Sequence, residues 1–244
     1  MKTRVDVLLV ERGLVPTREK AQAYIMAGSV DVNGRRELKA GTKVDPDSEI
    51  SLADDPVPYV SRGGLKLEGA LDEWEISLVD TVCVDIGAST GGFTDLMLQR
   101  GASRVYAIDV GYGQLDYKLR NDPRVVNMER TNVRLLDVCG FPEPADFVAI
   151  DVSFISLKLV LPVAVKLMKD SASCVCLVKP QFEAGREQVG KGGIVRDPAV
   201  HSGVLEKVSG YAADNGLRVV SSIESPILGT KGNKEYLMLV KRCE

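Results

Sequence analysis

The chain has 244 residues, 45% of them hydrophobic, and a formal net charge of −3 at pH 7. This length can bury a sizeable core and fits either one large domain or a medium domain with a small one. A charge near neutrality excludes recognition of a polyanion through the overall field of the protein, so any nucleic-acid surface must be local. The single histidine and five cysteines without C-x-x-C spacing predict neither a disulfide framework nor a zinc site, and we expect no metal.

Targeting and membrane segments are not apparent. The apolar stretch Val7–Val10 is too short for the core of a signal peptide, and no uninterrupted apolar run is long enough to span a membrane. We therefore expect a soluble, cytoplasmic protein with no membrane partner. The only histidine, His201, lies early in a helical pattern and is expected to have an ordinary surface role.

Residues 1 to about 50 have the pattern of a separate α+β unit. A helical pattern extends from Arg4 to Gly13, and a second, Thr17–Ala27, has Thr17 as a plausible N-cap. The alternating segment Ser29–Arg35 then leads into an Asn-Gly turn, which predicts a hairpin. The segment up to residue 43 carries nine Lys and Arg against five acids, so positive charge is concentrated in this unit.

This order, two helices followed by GSVDVNGRRELKAGTKV, resembles the small RNA-binding domain shared with ribosomal protein S4. The resemblance implies that basic side chains of the helices and the hairpin contact the phosphates of structured RNA. The best candidates for such contacts are Arg4, Arg18, Lys20 and Arg35. Phosphate contacts position an RNA without reading its sequence.

Residues 51–62 contain Asp54-Asp55 and prolines at positions 56 and 58, and they predict a linker. We therefore divide the chain into residues 1–58, an S4-type domain with its linker, and residues 59–244, a second domain. A helix is expected to begin after the double glycine Gly63-Gly64.

From Cys83 onward, strand-like and helix-like stretches alternate, which is typical of an α/β fold with a parallel sheet and crossover helices. Seven strands match the number in a Rossmann-like methyltransferase sheet. The predicted strands are Val82–Ile86, Arg104–Asp109, Val125–Met128, Asp146–Asp151, Ser173–Lys179, Arg218–Glu224 and Lys234–Val240.

The first of these strands is followed by a glycine turn and a helix start, in the stretch VCVDIGASTGGFTD. Such a turn lets backbone N–H groups approach a nucleotide-like ligand closely. The second glycine of the dinucleotide fingerprint G-x-G-x-x-G is missing, and an acid, Asp85, precedes Gly87. A carboxylate there repels a pyrophosphate but can pair with an α-amino group, so the pattern favours S-adenosylmethionine over NAD.

Further polar residues follow the other predicted strands. Asp109 is placed to accept the ribose hydroxyls of an adenosyl group, while Asn132 could meet the adenine or act as a helix N-cap. Asp151 and Lys179 end two strands and should face the crevice at the carboxyl edge of the sheet, where ligands bind in open α/β folds. Spacing alone does not identify Lys66 or Glu235 as catalytic.

The segments VSRGGLKLEGAL, DIGASTGGFTD, DVGYGQLDYKLRNDPRV, ERTN, DVSFISL, LVKPQFE and GNKEYLMLV together resemble the TlyA family over essentially the whole chain. Members are named haemolysins but are understood as ribosomal RNA 2′-O-methyltransferases with an FtsJ-like catalytic domain. The resemblance implies a catalytic tetrad of Lys66, Asp151, Lys179 and Glu235 and a ribose acid at Asp109. The implied cofactor motif comprises Asp85, Gly87, Ala88, Ser89, Thr90, Gly91, Gly92 and Phe93.

The implied reaction is methyl transfer from S-adenosylmethionine to the ribose 2′-hydroxyl of a cytidine, with ribosomal RNA or a ribosomal subunit as partner. The chain starts close to its first helix and stops just after the last predicted strand, so it resembles the shorter members, expected to modify 23S rRNA only. The alternatives are a membrane-active haemolysin and a non-catalytic RNA-binding or ribosome assembly factor. The intact tetrad favours an enzyme.

Two roles are open for the lysines of the tetrad. Lys179 could accept the proton of the weakly acidic 2′-hydroxyl, or Lys179 and Lys66 could stabilise the developing alkoxide while in-line geometry contributes most of the acceleration. The glycine-rich segment 183–197, which follows the lysine strand, is expected to be mobile without RNA and to close over the target nucleotide.

Overall fold

The computed structural model describes residues 2–26, 28–37, 39–52 and 58–243. The chain forms two compact units, Met1–Arg62 and Gly63–Glu244. Residues 53–57, in the predicted linker, lie outside the described residues. Among the described residues, no helix is both long and apolar enough to cross a membrane.

The first unit has the predicted two helices and hairpin. Its helices are α1 (Val5–Glu11) and α2 (Arg18–Met26), and its strands are β1 (Thr3–Arg4), β2 (Val30–Val32), β3 (Arg35–Arg36), β4 (Lys43–Val44) and β5 (Ile50–Leu52). Strands β3, β2 and β5 form an antiparallel sheet, and β1 pairs with β4. The turn between β2 and β3 has φ of 52° at Asn33 and 73° at Gly34, the conformation that the Asn-Gly pair favours.

A small apolar core holds this unit together. Residues spaced three or four apart on the helices face the sheet, as amphipathic helices do. The buried members are Val5, Leu9, Val15, Ala21, Ile25, Val30 and Val32. Thr17 caps α2 as predicted, because its hydroxyl accepts a hydrogen bond from the Lys20 N–H at 3.2 Å.

The second unit is an α/β fold around one sheet. Its strands are β6 (Val82–Ile86), β7 (Arg104–Ile108), β8 (Val125–Met128), β9 (Ala145–Ile150), β10 (Met168–Val178), β11 (Leu217–Glu224) and β12 (Tyr236–Arg242). Its helices are α3 (Gly63–Glu73), α4 (Gly92–Gln99), α5 (Tyr117–Arg120), α6 (Leu161–Leu167), α7 (Pro180–Glu183) and α8 (Pro198–Ala213). All seven predicted strands are confirmed, whereas α3 begins at the first glycine of the double glycine rather than after it.

The strand order β11-β12-β10-β9-β6-β7-β8 places the first strand of this unit in the middle of the sheet. Strands β6 to β10 pair in parallel, while β12 pairs antiparallel with both β10 and β11. From β6 the chain continues to β7 and β8 on one side of the sheet, whereas β9 lies on the other side of β6. The direction in which strands are added therefore reverses between β6 and β9. Ligands bind at such a switch point, beyond the carboxyl ends of the strands.

The central strands are buried on both faces, which explains their continuous apolar sequence. The core includes Val84, Ile86, Val148, Ile150 and Cys176 from adjacent strands. Three cysteines are buried and two are exposed, and all five are free.

The surface role expected for His201 is wrong. The residue is buried, its Nε2 lies 3.1 Å from the carbonyl oxygen of Val195, and the Tyr236 hydroxyl lies 3.1 Å from its Nδ1. Asn233 fixes the same segment, since it donates to the Gly193 carbonyl at 2.9 Å and accepts from the Val195 N–H at 3.2 Å. These bonds connect the second half of segment 183–197 to His201 and Asn233, and the mobility expected for this segment stays a prediction.

Candidate active site

Asp85 lies on β6 at the switch point of the sheet and is completely buried. Its Oδ2 accepts a hydrogen bond of 2.6 Å from the Thr94 hydroxyl, whereas its Oδ1 has no hydrogen-bond partner among the described residues. Burial is the largest cause that raises the pKa of Asp85 to about 7, and the charges of Asp151 and Asp109 add to it. A buried carboxylate with one free oxygen fits a cationic group such as an ammonium.

The glycine turn after β6 is shaped by backbone crowding. Gly87 has φ of 90°, and a Cβ at this position would lie 2.2 Å from the carbonyl oxygen of Asp151. Gly91 has φ of 97° and forms the N-cap of α4. No other residue fits at Gly87 without moving the backbone after β9, so the turn brings β6 and β9 together at their carboxyl ends.

Asp109, directly after β7, is bound to the glycine turn. Its Oδ2 accepts the N–H of Ser89 at 2.8 Å and its Oδ1 accepts the N–H of Gly111 at 2.6 Å. A carboxylate has about four acceptor positions, so two remain for ribose hydroxyls. The acid therefore fixes the loop and keeps capacity for a ligand.

The other predicted cofactor residues differ in exposure. Ala88, Gly92 and Phe93 are buried, whereas Thr90 is exposed. Asn132 is the N-cap of a 3-10 helix, with its Oδ1 accepting the N–H of Arg134 at 3.2 Å. Of the two alternatives for Asn132, the N-cap is present, and the contact with adenine stays a prediction.

The tetrad residues form two ion pairs. Lys66, on α3, donates to Glu235 Oε2 at 2.6 Å, and Lys179 Nζ lies 2.5 Å from Asp151 Oδ1. Lys179 and Glu235 are buried, and the side chain of Lys66 is 12% exposed. The Glu235 carboxylate packs against Gly229, where a side chain would not fit because a Cβ on residue 229 would lie 2.0 Å from Glu235 Oε1.

Sheet register explains how three of these residues meet. Val178 pairs with Tyr236, so the residues next to them, Lys179 and Glu235, lie at the same edge. Asp151 follows β9, the other neighbour of β10. Because β12 runs antiparallel to β10, its N-terminal end lies beside the C-terminal ends of β9 and β10. This places Glu235, which precedes β12, at the site.

Sequence reasoning missed Ser153, Gln181 and Phe154. Lys179 donates to the Ser153 hydroxyl at 2.9 Å, and Gln181 donates to Glu235 Oε1 at 3.3 Å. The Gln181 side chain therefore connects the turn after Lys179 to the second ion pair. Its own Oε1 has no hydrogen-bond partner among the described residues.

Phe154 is 91% exposed and has φ of 62°, although it is a bulky residue. Its ring lies 5.0 Å from that of Phe182, whose ring centre is 5.9 Å from Lys179 Nζ. An exposed aromatic ring on a strained backbone near the Lys179–Asp151 ion pair makes Phe154 a candidate for substrate contact. The phenylalanine in DVSFIS, three residues after Asp151, was the available signal.

In the first unit, Lys20 and Arg35 are exposed, as an RNA contact requires. Arg4 and Arg18 are instead both paired with the carboxylate of Asp6, at 2.8 Å and 2.9 Å. No group of three or more His, Cys, Asp or Glu in the described part of the chain could hold a metal ion.

The fold and the site together define a Rossmann-like methyltransferase joined to a small N-terminal unit. The chain belongs to the FtsJ-like methyltransferase family, which matches residues 59–242, and residues 3–50 match the S4 domain. It is therefore an enzyme of the methyltransferase class.

Its similarity to TlyA proteins places it in that branch of the family. The chain is 44% identical over 98% of its length to the 16S/23S rRNA (cytidine-2′-O)-methyltransferase TlyA of Mycobacterium tuberculosis, covering 90% of that protein. It is 54% identical over 97% of its length to YqxC of Bacillus subtilis, which is named as a candidate rRNA methyltransferase, and covers 85% of it. A solved structure of a candidate hemolysin from Streptococcus thermophilus matches with a TM-score of 0.79 and 50% identity, over 100% of this chain and 89% of that one.

Proposed function

We propose that this protein transfers a methyl group from S-adenosylmethionine to the ribose 2′-hydroxyl of a cytidine in ribosomal RNA. The observation that carries the proposal is the pair of lysine–carboxylate contacts, Lys179 with Asp151 and Lys66 with Glu235, near the carboxyl edge of the sheet that also holds Asp85. Each contact has one buried partner, Lys179 or Glu235. The name of the Mycobacterium tuberculosis relative supports the ribose 2′-oxygen and the cytidine. Because that name includes 23S rRNA, the large subunit is the first substrate to test.

The cofactor assignment rests on the free Oδ1 of Asp85 and on Asp109. Asp85 would bind the α-ammonium group and Asp109 the ribose hydroxyls, with the turn at Gly87 and Gly91 giving backbone access. When bound, S-adenosylmethionine supplies an electrophilic methyl group. Asn132 would contact the adenine through its amide nitrogen.

Lys179 would stabilise negative charge on the attacking 2′-oxygen. Asp151 and the Ser153 hydroxyl fix the position of its ammonium group, so little reorganisation is needed as charge develops. Lys66 and Glu235 fix each other through their ion pair, and Gln181 donates to the Glu235 carboxylate. This second pair would orient the ribose.

Phe154 would hold the nucleobase. A ribose can reach buried lysines only if its nucleotide leaves the surrounding RNA stack, and an exposed aromatic ring replaces part of the stacking that is lost. The ring of Phe154, next to Phe182 and near Lys179, is suited to this role.

Lys20 and Arg35 of the S4 domain would contact RNA phosphates, together with Arg4 and Arg18.

A protein that modifies ribosomal RNA works in the cytoplasm, which is the location we propose. The hemolysin interpretation rests on a name alone, and a non-catalytic role does not account for two partly buried ion pairs at the edge of the sheet where a cofactor would bind.

The test is transfer of labelled methyl from S-adenosylmethionine to isolated 50S subunits and to 23S rRNA transcribed in vitro. Native protein is compared with Lys179→Ala and with Lys166→Ala, a matched control at an exposed lysine on α6. We expect label on a ribose 2′-oxygen with the native and control proteins, and labelling slower by about 10²-fold or more with Lys179→Ala. A protein that binds the cofactor but labels no ribosomal RNA, including 30S subunits and 16S rRNA, would overturn the proposal.

A further inference from the structure

Asp6 is a completely buried carboxylate near the start of α1. Arg4 donates two hydrogen bonds to it, from Nε to Oδ1 at 2.9 Å and from Nη2 to Oδ2 at 2.8 Å. Arg18 Nε and Gln22 Nε2 also donate to Oδ2, at 2.9 Å and 3.0 Å. One buried acid on α1 therefore binds a basic side chain of β1 and a basic side chain and an amide of α2.

The two guanidinium groups keep N–H donors that do not bond to Asp6. The Arg4 and Arg18 side chains are 40% and 51% exposed. Arg18 binds Asp6 through Nε alone, and neither of its terminal nitrogens donates to a described residue. A guanidinium has five N–H donors, so both arginines keep donors that can reach a ligand in solvent.

Two cations this close repel each other unless an anion lies between them. Both Arg4 Nη2 and Arg18 Nε lie within 2.9 Å of the same oxygen, Asp6 Oδ2. Their ion pairs, first among them the bond from Arg4, hold the pKa of Asp6 well below its usual range, so the carboxylate stays charged at neutral pH. The cluster keeps a net positive charge because two arginines face one acid.

The surrounding backbone fixes this cluster further. The N–H groups of Val5 and Asp6 donate to the carbonyls of Thr42 and Ala40, at 2.9 Å and 3.4 Å. Arg4 also lies opposite Lys43 in the β1–β4 pair, so another basic residue adjoins the cluster. The acid is thus attached to a rigid part of the domain rather than to a loose chain end.

We propose that Asp6 is a positioning residue that fixes Arg4 and Arg18 as one two-guanidinium site for an RNA phosphate. The proposal rests on the proposed function, since it needs ribosomal RNA as the partner. The planar fork of a guanidinium matches phosphate oxygens, and two forks held side by side can bind one phosphate group. Because Asp6 immobilises both side chains before binding, less conformational entropy is lost when RNA arrives.

The test variant is Asp6→Asn in the full chain, and the sign of its effect is informative. Removing an acid adds one positive charge to the unit, so electrostatics alone predicts tighter binding of 23S rRNA. We expect binding about tenfold weaker at a fixed KCl concentration, because the two arginines lose their fixed geometry. Glu11→Gln, at an exposed acid of the same helix, changes the charge equally without touching the arginines and should bind at least as tightly as native protein.

A double-mutant cycle separates positioning from folding. In an Arg4→Gln, Arg18→Gln background, Asp6→Asn should cause no further loss of rRNA affinity, since there is nothing left to position. A merely structural role would lower affinity in both backgrounds, and equal or tighter binding by Asp6→Asn in the native background would also overturn the proposal. S-adenosylmethionine binding should be unchanged throughout.

If circular dichroism shows that Asp6→Asn does not fold, the doubly substituted Arg4→Lys, Arg18→Lys protein gives a second test. It keeps both charges but loses the forks, so we expect weaker rRNA binding with an unchanged dependence on salt concentration. Native affinity would overturn the proposal. Native protein that neither binds nor methylates ribosomal RNA would instead count against the proposed function.

Discussion

The Thr94 hydroxyl donates a 2.6 Å hydrogen bond to one oxygen of Asp85, and the other oxygen of this buried carboxylate has no partner among the described residues. The pKa of Asp85 is raised to about 7, chiefly by burial. The folded protein therefore binds a proton at this carboxylate that the unfolded chain has lost above about pH 4. The stabilisation from this proton is lost as pH rises toward 7.

This relationship predicts that cofactor affinity depends on pH. A cationic ammonium needs the ionised carboxylate, so affinity for S-adenosylmethionine should fall about tenfold for each pH unit below 7. Isothermal titration calorimetry between pH 5.5 and 7.5 measures this. Asp85→Asn should bind more weakly with a flat pH profile, and an unchanged slope in that variant would show that another group titrates.

Substitution of Lys179 should distinguish its two possible roles. Lys179→Ala should lower kcat by about 10²–10⁴-fold with little change in cofactor affinity. If the lysine acts through its charge, Lys179→Arg should retain part of the lost rate, whereas a proton acceptor would not be replaced by arginine. Single-turnover methyl transfer measures the chemical step directly.

Gly87 should be far less tolerant than other glycines with positive φ. Gly87→Ala places a Cβ against the backbone of Asp151 and should lower the free energy of unfolding by on the order of 3–5 kcal/mol. Gly216 has φ of 70° and nothing within 4 Å of a Cβ, so Gly216→Ala should cost about 1–2 kcal/mol. Chemical denaturation of both variants compares them, and similar losses would contradict the crowding argument.

Phe154 should matter for activity and not for stability. Phe154→Ala removes an exposed ring, so the free energy of unfolding should stay within about 1 kcal/mol of native protein. If the ring stacks on the target base, the KM for rRNA should rise or kcat should fall by about tenfold, in line with one lost stacking contact. Phe154→Tyr keeps the stacking surface and should restore activity. Full activity of Phe154→Ala would exclude the ring from substrate binding.

Local patterns predicted the sheet well. Strands β6, β7, β9 and β12 are mostly buried apolar runs, whereas β8 and β11 at the two edges of the sheet are partly exposed. Both patterns can be read locally, without knowledge of distant residues. The Asn33-Gly34 turn and the Thr17 cap are likewise decided within a few positions.

Long-range partners explain what local patterns missed. His201 contacts Val195 and Tyr236, which local sequence does not predict. Likewise, Asp6 and Arg18 can bond only because α1 packs against α2. Arg4 and Arg18 were expected to contact RNA phosphates, which stays a prediction, and their shared carboxylate gave no signal because it lies inside an apolar helix pattern. Lys66 and Glu235 were assigned through family resemblance, because no spacing relates them.

The antiparallel strand β12 has a consequence for how activity arises during folding. The ion pair between Lys66 and Glu235 joins positions 169 residues apart, and it requires β12 to insert between β10 and β11. Contacts between residues so far apart in sequence are expected to form late in folding, because the loop must close before the contact can stabilise the chain. If the Lys66–Glu235 pair is needed for catalysis as proposed, a chain that has formed its cofactor edge at β6 but has not yet placed β12 should be inactive.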